Sequence, residues 1–344
     1  HYPDQSVQHL IDLLREASID PEVRSIKMTF YRAARRSAAL NALINAARNG
    51  KYVTVFMEIQ ARFDEEANIY WTQRLQEEGA KVIQTIPGYK VHAKLILIRR
   101  REEGINHFYA NVSTGNFNES TARVYADESL LTSNAEICQD VYNLFELMES
   151  KFIFPSFHKL IVAPFAIRDF FMAMLDNEIA NAKAGNEAWA TIKLNSLVDK
   201  KITRKLYEAS AAGVRIDLIA RGLCVIKPGV KGLSENINAI SIVDKFLEHS
   251  RIYIFCNGGE HAYYTASADW MQRNFDHRIE VVCPIEDKDI RKELWDIIQI
   301  QLRDNTKARL LEPDKLNHYK KDASKEKHRA QFEIYDYFRE KKDS

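Results

Sequence analysis

The 344-residue sequence contains no apolar stretch long enough to cross a membrane as a helix, and no signal-peptide pattern. With 49 basic and 48 acidic residues, its overall charge gives no reason to expect nucleic acid or an anionic membrane as a partner. Its 4 cysteines lack the spacing of a metal site and mostly occur in apolar runs. We therefore interpret them as reduced thiols in the core of a cytosolic protein.

Several short motifs of phosphate and hydrolase chemistry are also missing. No Gly-x-x-x-x-Gly-Lys-Ser/Thr loop is present, which argues against a P-loop mechanism. The Gly-x-Ser-x-Gly elbow and the His-Glu-x-x-His helix are absent as well. Any chemistry on phosphate must therefore come from a different arrangement of side chains.

The order of predicted elements repeats along the chain. The first pass alternates strands and helices, at residues 26–31, 38–48, 52–59, 69–78 and 80–86. The second pass does the same, at residues 190–197, 200–212, 214–220 and 239–243. This alternation predicts α/β layering, with mostly parallel strands near the site.

The length of the chain favours two domains, which we place at residues 1–158 and 159–344. The polar C-terminal segment predicts one terminal helix without a catalytic role, packed on the body through Phe332, Tyr335 and Phe338. Because the sequence begins with histidine rather than methionine, we expect it to be part of a longer protein.

The most informative local pattern is a histidine followed two residues later by a cation, which occurs twice. His92 and Lys94 lead into one apolar run, and His249 and Arg251 lead into another. If these runs are strands, alternation places each histidine and its cation on one face. Around one pocket, such faces would supply one imidazole to attack phosphorus, another to move a proton, and cations to hold oxygens. A single pair is common on surfaces, so it is the duplication that favours phosphoryl chemistry.

Other polar residues fall where a phosphate ligand could be held. Residues 113–116 form a Ser-Thr-Gly-Asn turn whose hydroxyl, amide and backbone donors suit a phosphate. Each of three arginines follows a predicted strand, at the edge where α/β folds place ligands: Arg32, Arg62 and Arg221. Arg62 could equally begin a surface helix, and the sequence alone favours core packing for Tyr125.

Taken together, these residues resemble the phospholipase D superfamily. That superfamily has an aspartate five residues after the lysine, whereas this chain has Arg99 and Cys256 in those places. The difference points to the branch of the polyphosphate kinase family. The segments that carry the resemblance extend over nearly the whole chain: 26–32, 61–68, 91–95, 113–118, 121–127, 162–165 and 267–271.

The resemblance covers only the C-terminal half of that family. It implies two phospholipase D-like α/β domains related by an internal repeat, with mixed sheets flanked by helices and the active site between them. It implies that His92 is the phosphorylated histidine, with Lys94 beside it, and that His249 is a second imidazole near the transferred phosphate. ATP would be held by Tyr125, Arg221, His249 and Asn116.

The resemblance also assigns Arg32 and Arg62 to Mg²⁺ binding. A guanidinium has no lone pair to offer a cation, so we expect these arginines to hold phosphate oxygens that also carry Mg²⁺.

The implied function is reversible transfer of the terminal phosphate of ATP to inorganic polyphosphate, through a phospho-histidine and with ADP as product. The implied enzyme is cytoplasmic and homo-oligomeric when intact, with peripheral attachment to the inner membrane as an open alternative, and no nucleic acid is expected as a partner. Two other functions stay open: a phospholipase D-like phosphodiesterase, and a fragment that binds polyphosphate without turning it over.

Overall fold

The computed structural model describes residues 1–58, 65–84, 88–150, 155–314, 316–321 and 326–343. The chain divides into two compact units. The first comprises residues 1–162 with 277–283, and the second comprises residues 163–276 with 284–344. A short segment from the second half of the sequence thus returns to the first unit.

The first half of the chain begins with an alternation of helices and strands. Ser37 starts the second helix by accepting the backbone N–H of Leu40 at 3.2 Å, and that helix has the predicted bounds 38–48. In chain order the elements are α1 (Gln8–Ile19), β1 (Val23–Phe30), α2 (Ala38–Arg48), β2 (Tyr52–Met57), α3 (Glu65–Glu77), β3 (Lys81–Ile83), β4 (Lys90–Val91), β5 (Lys94–Glu102), β6 (Ile105–Ser113), β7 (Tyr125–Ala126), β8 (Ser129–Thr132), α4 (Ala135–Glu149) and β9 (Ile161–Ala163).

The first unit contains a mixed sheet with the strand order β3-β2-β1-β5-β6-β8. Strand β1 is parallel to β2 but antiparallel to β5, the strand that follows His92. The prediction of mostly parallel strands near the site is therefore wrong for this strand. A parallel strand needs a crossover of about a dozen residues or more, usually a helix, and no helix is described between β3 and β5.

Strand β5 is buried on both of its faces, because helices cover both sides of the sheet. Ile96 and Ile98 pack in one apolar cluster with residues of α1, α2 and α3. Leu95 and Leu97 pack in another cluster with residues of α4. The run is therefore continuously apolar, as is typical of a strand between two helical layers.

The second half of the chain supplies the remaining elements. They are α5 (Ile167–Lys183), β10 (Trp189–Leu194), α6 (Lys200–Ala211), β11 (Arg215–Ala220), β12 (Ile237–Ile242), β13 (Leu247–Glu248), β14 (Ile252–Phe255), β15 (Ala262–Ala266), α7 (Gln272–Asp276), β16 (Arg278–Ile285), α8 (Lys288–Arg303), β17 (Ala308–Leu310) and α9 (Ala330–Asp343).

The second unit repeats the topology of the first. Its strands lie in the order β17-β12-β11-β10-β14-β15, with β10 parallel to β11 and antiparallel to β14. The run β12-β11-β10-β14-β15 thus corresponds to β3-β2-β1-β5-β6. His92 precedes β5 and His249 precedes β14, so the two histidines occupy the same place in the repeat. The predicted mixed α/β fold is confirmed. Among the described residues, no helix has the length and apolar character needed to cross a membrane.

Helix α9 packs on the body through a different face from the predicted one. Phe338 is buried, but Phe332 and Tyr335 are 49% and 52% exposed. The buried side chains recur at Ala330, Ile334 and Phe338, a spacing of four residues. The three-residue spacing of the aromatic side chains misled the prediction, because both spacings are compatible with one face of a helix.

Replacing one buried and one exposed phenylalanine of α9 tests this assignment. We expect Phe338→Ala to lower the free energy of unfolding by about 3 to 5 kcal/mol, since a buried aromatic side chain is removed. Phe332→Ala is the matched control, and it should cost about 1 kcal/mol or less because it loses only an exposed ring stacked on Arg329. Urea denaturation of both variants measures the difference, and equal losses would contradict the assignment.

Candidate active site

His92 is fixed by strand β16 through both its backbone and its ring. The backbone N–H groups of His92 and Ala93 donate to the carbonyl of Ile279, at 3.0 and 2.9 Å. The ring nitrogen Nδ1 lies 2.8 and 2.9 Å from the two carboxylate oxygens of Glu280, whose side chain is fully buried. When Nδ1 donates its hydrogen to this carboxylate, the lone pair of the neutral imidazole is on Nε2.

Lys94 and Tyr31 complete the immediate surroundings of His92. The Lys94 ammonium group is buried, donates to the His92 carbonyl and lies 5.6 Å from the centre of the Tyr31 ring. That ring meets the His92 ring edge-on, with centroids 4.9 Å apart. Histidine and cation are thus adjacent as predicted, although they lie at the entry of β5 rather than along it. This places a positive charge beside the imidazole.

Strand register brings further predicted residues to the same edge of the first sheet. Lys94 is paired with Ser113, so the Ser-Thr-Gly-Asn turn leaves β6 where β5 begins. Because β1 runs antiparallel to β5, Arg32 also lies at this edge, two residues beyond the end of β1. Asn116 follows in the turn, and within the described part of the chain its Oδ1 is buried without a hydrogen-bond partner.

The Ser-Thr-Gly-Asn turn is closed by Asp127. The Thr114 hydroxyl donates to Asp127 Oδ1 at 2.7 Å, and it accepts the backbone N–H of Glu128 at 2.9 Å. A Cβ atom on Gly115 would lie 2.3 Å from Asp127 Oδ2, so only glycine fits this close approach. Tyr125 lies in β7, two residues before Asp127, and is half-buried.

In the second unit, the ring of His249 lies against the guanidinium of Arg251. Arg251 Nη1 donates to the His249 carbonyl at 2.7 Å and lies 3.3 and 3.4 Å from the two ring nitrogens. Its Nε and Nη2 lie 3.2 Å from the two oxygens of Asp269. Burial by itself raises the pKa of Asp269, but the charge and hydrogen bonds of Arg251 outweigh it and hold that pKa below its ordinary value.

Arg221 is tied to the His249 segment through backbone and amide oxygens. Its Nε donates to the Glu248 carbonyl at 2.6 Å and to Asn195 Oδ1 at 2.9 Å. The Nδ2 of Asn195 donates in turn to the His249 carbonyl at 3.1 Å. Asn195 follows β10 and Arg221 follows β11, so this cluster lies at the carboxyl edge of the parallel strands.

The described residues include no large cluster of metal-ligating side chains. No group of three or more histidine, cysteine, aspartate or glutamate side chains among them could hold a metal ion. Arg32 has only N–H donors, which suit a phosphate oxygen rather than a cation. Arg62 lies outside the described residues. The four cysteines are free thiols, and three of them are buried, as expected of core residues.

Glu280, Asp269 and Asn195 are among the residues of these clusters that were not predicted as site residues. Glu280 is a single carboxylate in the apolar strand Arg278–Ile285, and a buried charge in such a run is itself a usable signal. Asp269 belongs to a segment noted only as a degenerate copy of the Ser-Thr-Gly-Asn turn. Asn195 lies in a predicted strand and carries no local signal.

The chain is similar to polyphosphate kinases along almost its entire length. Residues 1–152 match the family described as "Polyphosphate kinase C-terminal domain 1", and residues 160–331 match "Polyphosphate kinase C-terminal domain 2". Polyphosphate kinases of Escherichia coli (strain K12) and Vibrio vulnificus (strain YJ016) are each 48% identical over 339 residues. The match covers 98% of this chain and 49% and 48% of theirs, so the chain spans about half the length of these curated relatives.

Solved structures agree with this similarity. A crystal structure of polyphosphate kinase from Porphyromonas gingivalis has a TM-score of 0.91 at 42% identity, over 97% of this chain and 51% of that one. A phosphatidylserine synthase from Haemophilus influenzae has a TM-score of 0.58 at 10% identity, over 100% of this chain and 93% of that one, which shows a likeness of fold alone. The resemblance seen in the sequence is confirmed.

The buried Asp269–Arg251 pair predicts an acid-sensitive contribution to stability. Because the pKa of Asp269 is lower in the folded than in the unfolded protein, its contribution is present above the ordinary aspartate pKa of about 3.9 and is lost as pH falls through the folded value. We expect Asp269→Asn to cost about 3 kcal/mol at pH 7, since Arg251 loses its counter-charge. The cost should shrink from pH 5 toward pH 3.

Urea denaturation across this pH range measures the effect, with Asp289→Asn at an exposed carboxylate as the control. A cost that is independent of pH, or no larger than that of the control, would contradict the assignment.

Proposed function

The chain belongs to the polyphosphate kinase family, and from this we propose that it carries the catalytic domains for reversible transfer of the ATP terminal phosphate to inorganic polyphosphate. The observation that carries the proposal is the His92–Glu280 pair. The buried carboxylate favours the tautomer with its hydrogen on Nδ1, so that Nε2 has the lone pair that a nucleophile needs.

In the proposed first step, the Nε2 lone pair of His92 attacks the γ-phosphorus of ATP. The bond from this phosphorus to the β–γ bridging oxygen breaks, and ADP leaves with the electron pair. The phosphorylated ring carries a positive charge while Nδ1 keeps its hydrogen, and the Glu280 carboxylate stabilises that charge. In the second step, a terminal oxygen of polyphosphate attacks the same phosphorus, and neutral His92 is released.

The surrounding donors are proposed to hold phosphate oxygens. Lys94 and Arg32 lie at the same sheet edge as His92, where the transferring group would carry negative charge. Asn116 follows in the turn at this edge, and its amide Nδ2 is proposed as a further donor to a phosphate oxygen. In the other unit, Arg221 and His249 are proposed to bind the nucleotide phosphates.

ATP is proposed to enter as its Mg²⁺ complex, as a substrate, because the phosphate oxygens of ATP are ligands that Mg²⁺ prefers. We assign no step to the metal. Tyr125 is a proposed nucleotide contact on the resemblance alone. Arg62 is a proposed phosphate contact on the resemblance and on its place after a predicted strand. Residence in the cytoplasm, assembly into a homo-oligomer, peripheral attachment to the inner membrane and the absence of nucleic acid partners stay predictions.

Synthesis of polymer from ATP tests the proposed function directly. We expect the chain with ATP and Mg²⁺ to lengthen a polyphosphate primer, and His92→Ala to reduce the rate by about 10³-fold or more. His107→Ala, at an exposed histidine of β6, is the matched control and should keep the wild-type rate. Chains resolved by gel electrophoresis provide the readout. Release of product from a phosphodiester without ATP, or binding of polyphosphate without turnover, would overturn the proposal.

Removing only the charge of Glu280 tests the role of the carboxylate. Glu280→Gln keeps the shape of the side chain but cannot stabilise a positive ring or enforce the Nδ1–H tautomer. We expect kcat to fall by about 10² to 10⁴-fold with little change in the KM for ATP, because the lost interaction acts mainly on the reacting ring. Glu77→Gln, at an exposed carboxylate of α3, is the control. An unchanged kcat would exclude this role.

A further inference from the structure

The first turn of helix α9 is hydrogen-bonded to the segment that leads to His249. Gln331 makes three hydrogen bonds to it, each 2.8 Å long. Its Oε1 accepts the backbone N–H of Phe246, while its Nε2 donates to the Phe246 carbonyl and to Glu248 Oε1. Gln331 is 5% exposed, so these are buried bonds without competition from bulk water.

Arg329, the residue before α9, adds a second attachment. Its Nε and Nη2 donate to the two oxygens of Asp244 at 2.8 and 2.6 Å, in a bidentate pair. These hydrogen bonds lower the pKa of Asp244, so the carboxylate stays ionised at neutral pH. Gln331 in the first turn of α9 and Arg329 just before it therefore hold the segment at residues 244, 246 and 248.

The Glu248 carboxylate is fully engaged in the interior of the second unit. Lys193 Nζ donates to its Oε2 at 2.7 Å, and Gln301 Nε2 donates to the same oxygen at 2.9 Å. The side chains of Lys193 and Glu248 are 2% and 3% exposed. A buried ion pair of this kind is weak evidence for stability, because apolar residues of similar volume often serve as well. What it does supply is one defined geometry.

That geometry leads directly into the candidate site. The Glu248 carbonyl accepts the Nε hydrogen of Arg221 at 2.6 Å, and His249 is the next residue. A displacement of Glu248 would therefore move the acceptor of Arg221 and the imidazole of His249 together.

We infer that Gln331 of α9 and Arg329, which precedes the helix, are positioning residues. They set the placement of His249 and of Arg221 through Asp244, Phe246 and Glu248. The terminal helix thus contributes to the reaction without touching substrate, contrary to the expectation that it has no part in it. This inference rests on the proposed function for the roles of His249 and Arg221, but not for the geometry itself.

The test replaces Gln331 by methionine, which has similar volume and lacks its amide groups. Gln299→Met on α8, at a half-buried glutamine outside this network, is the matched control. We expect Gln331→Met to lower kcat/KM by about tenfold or more per folded molecule, since a small misplacement of a reacting group has a large effect on rate. The folded fraction is measured by urea denaturation under the assay conditions. The control should keep the wild-type value.

A spectroscopic readout separates positioning from a merely structural role. In protein with ¹³C-labelled histidine, the His249 ring resonance, assigned with His249→Gln, should shift or broaden in Gln331→Met and not in Gln299→Met. A wild-type ring resonance together with a wild-type kcat/KM per folded molecule would overturn the inference. If Gln331→Met does not fold, Arg329→Lys breaks the bidentate pair at a half-exposed site, and wild-type values there would overturn it equally.

The ring measurement needs no substrate. A wild-type chain without transfer activity would therefore overturn the proposed function, while the His249 resonance would still decide whether the α9 turn positions that ring.

Discussion

The hydrogen bond between His92 Nδ1 and the Glu280 carboxylate is the interaction on which the proposed chemistry of this molecule depends. The two residues are 188 positions apart, and Glu280 is fully buried in β16. The same strand accepts the backbone N–H groups of His92 and Ala93, so backbone and ring are fixed from one element. A ring held in this way has its lone pair on Nε2. The buried Glu280 carboxylate favours any state in which the ring becomes positive.

The internal repeat conserves topology but not the partners of the two histidines. His92 has a carboxylate at Nδ1, whereas His249 has the Arg251 guanidinium near both ring nitrogens. The carboxylate of the second cluster, Asp269, is paired with that arginine instead. The same motif therefore yields two imidazoles with different surroundings, a carboxylate at Nδ1 of His92 and a guanidinium beside both ring nitrogens of His249. This supports the proposed division of labour, in which His92 is phosphorylated and His249 assists at the nucleotide.

Local patterns predicted much of the fold and the outline of the site. Periodicity and turn residues predicted helix α2 and the strands around each histidine. The end of a predicted strand indicated the arginine after β11. The partners Glu280 and Asn195 could not be found this way, because strand register and chain crossings decide which distant residues meet. The predictions of the direction of β5 and of the buried face of α9 were wrong for a related reason. Each feature depends on tertiary packing, and short-range spacing is compatible with either outcome.

The proposed role of His92 is tested most directly by the chemical identity of the phosphorylated atom. Protein treated with ATP and Mg²⁺ would be examined by ³¹P NMR after denaturation in alkali, where phospho-histidine survives, and the modified peptide would be sequenced by mass spectrometry. Because Nδ1 of His92 is bound to Glu280, we expect phosphate on Nε2 of His92. Phosphate on Nδ1, or on His249 in place of His92, would contradict it.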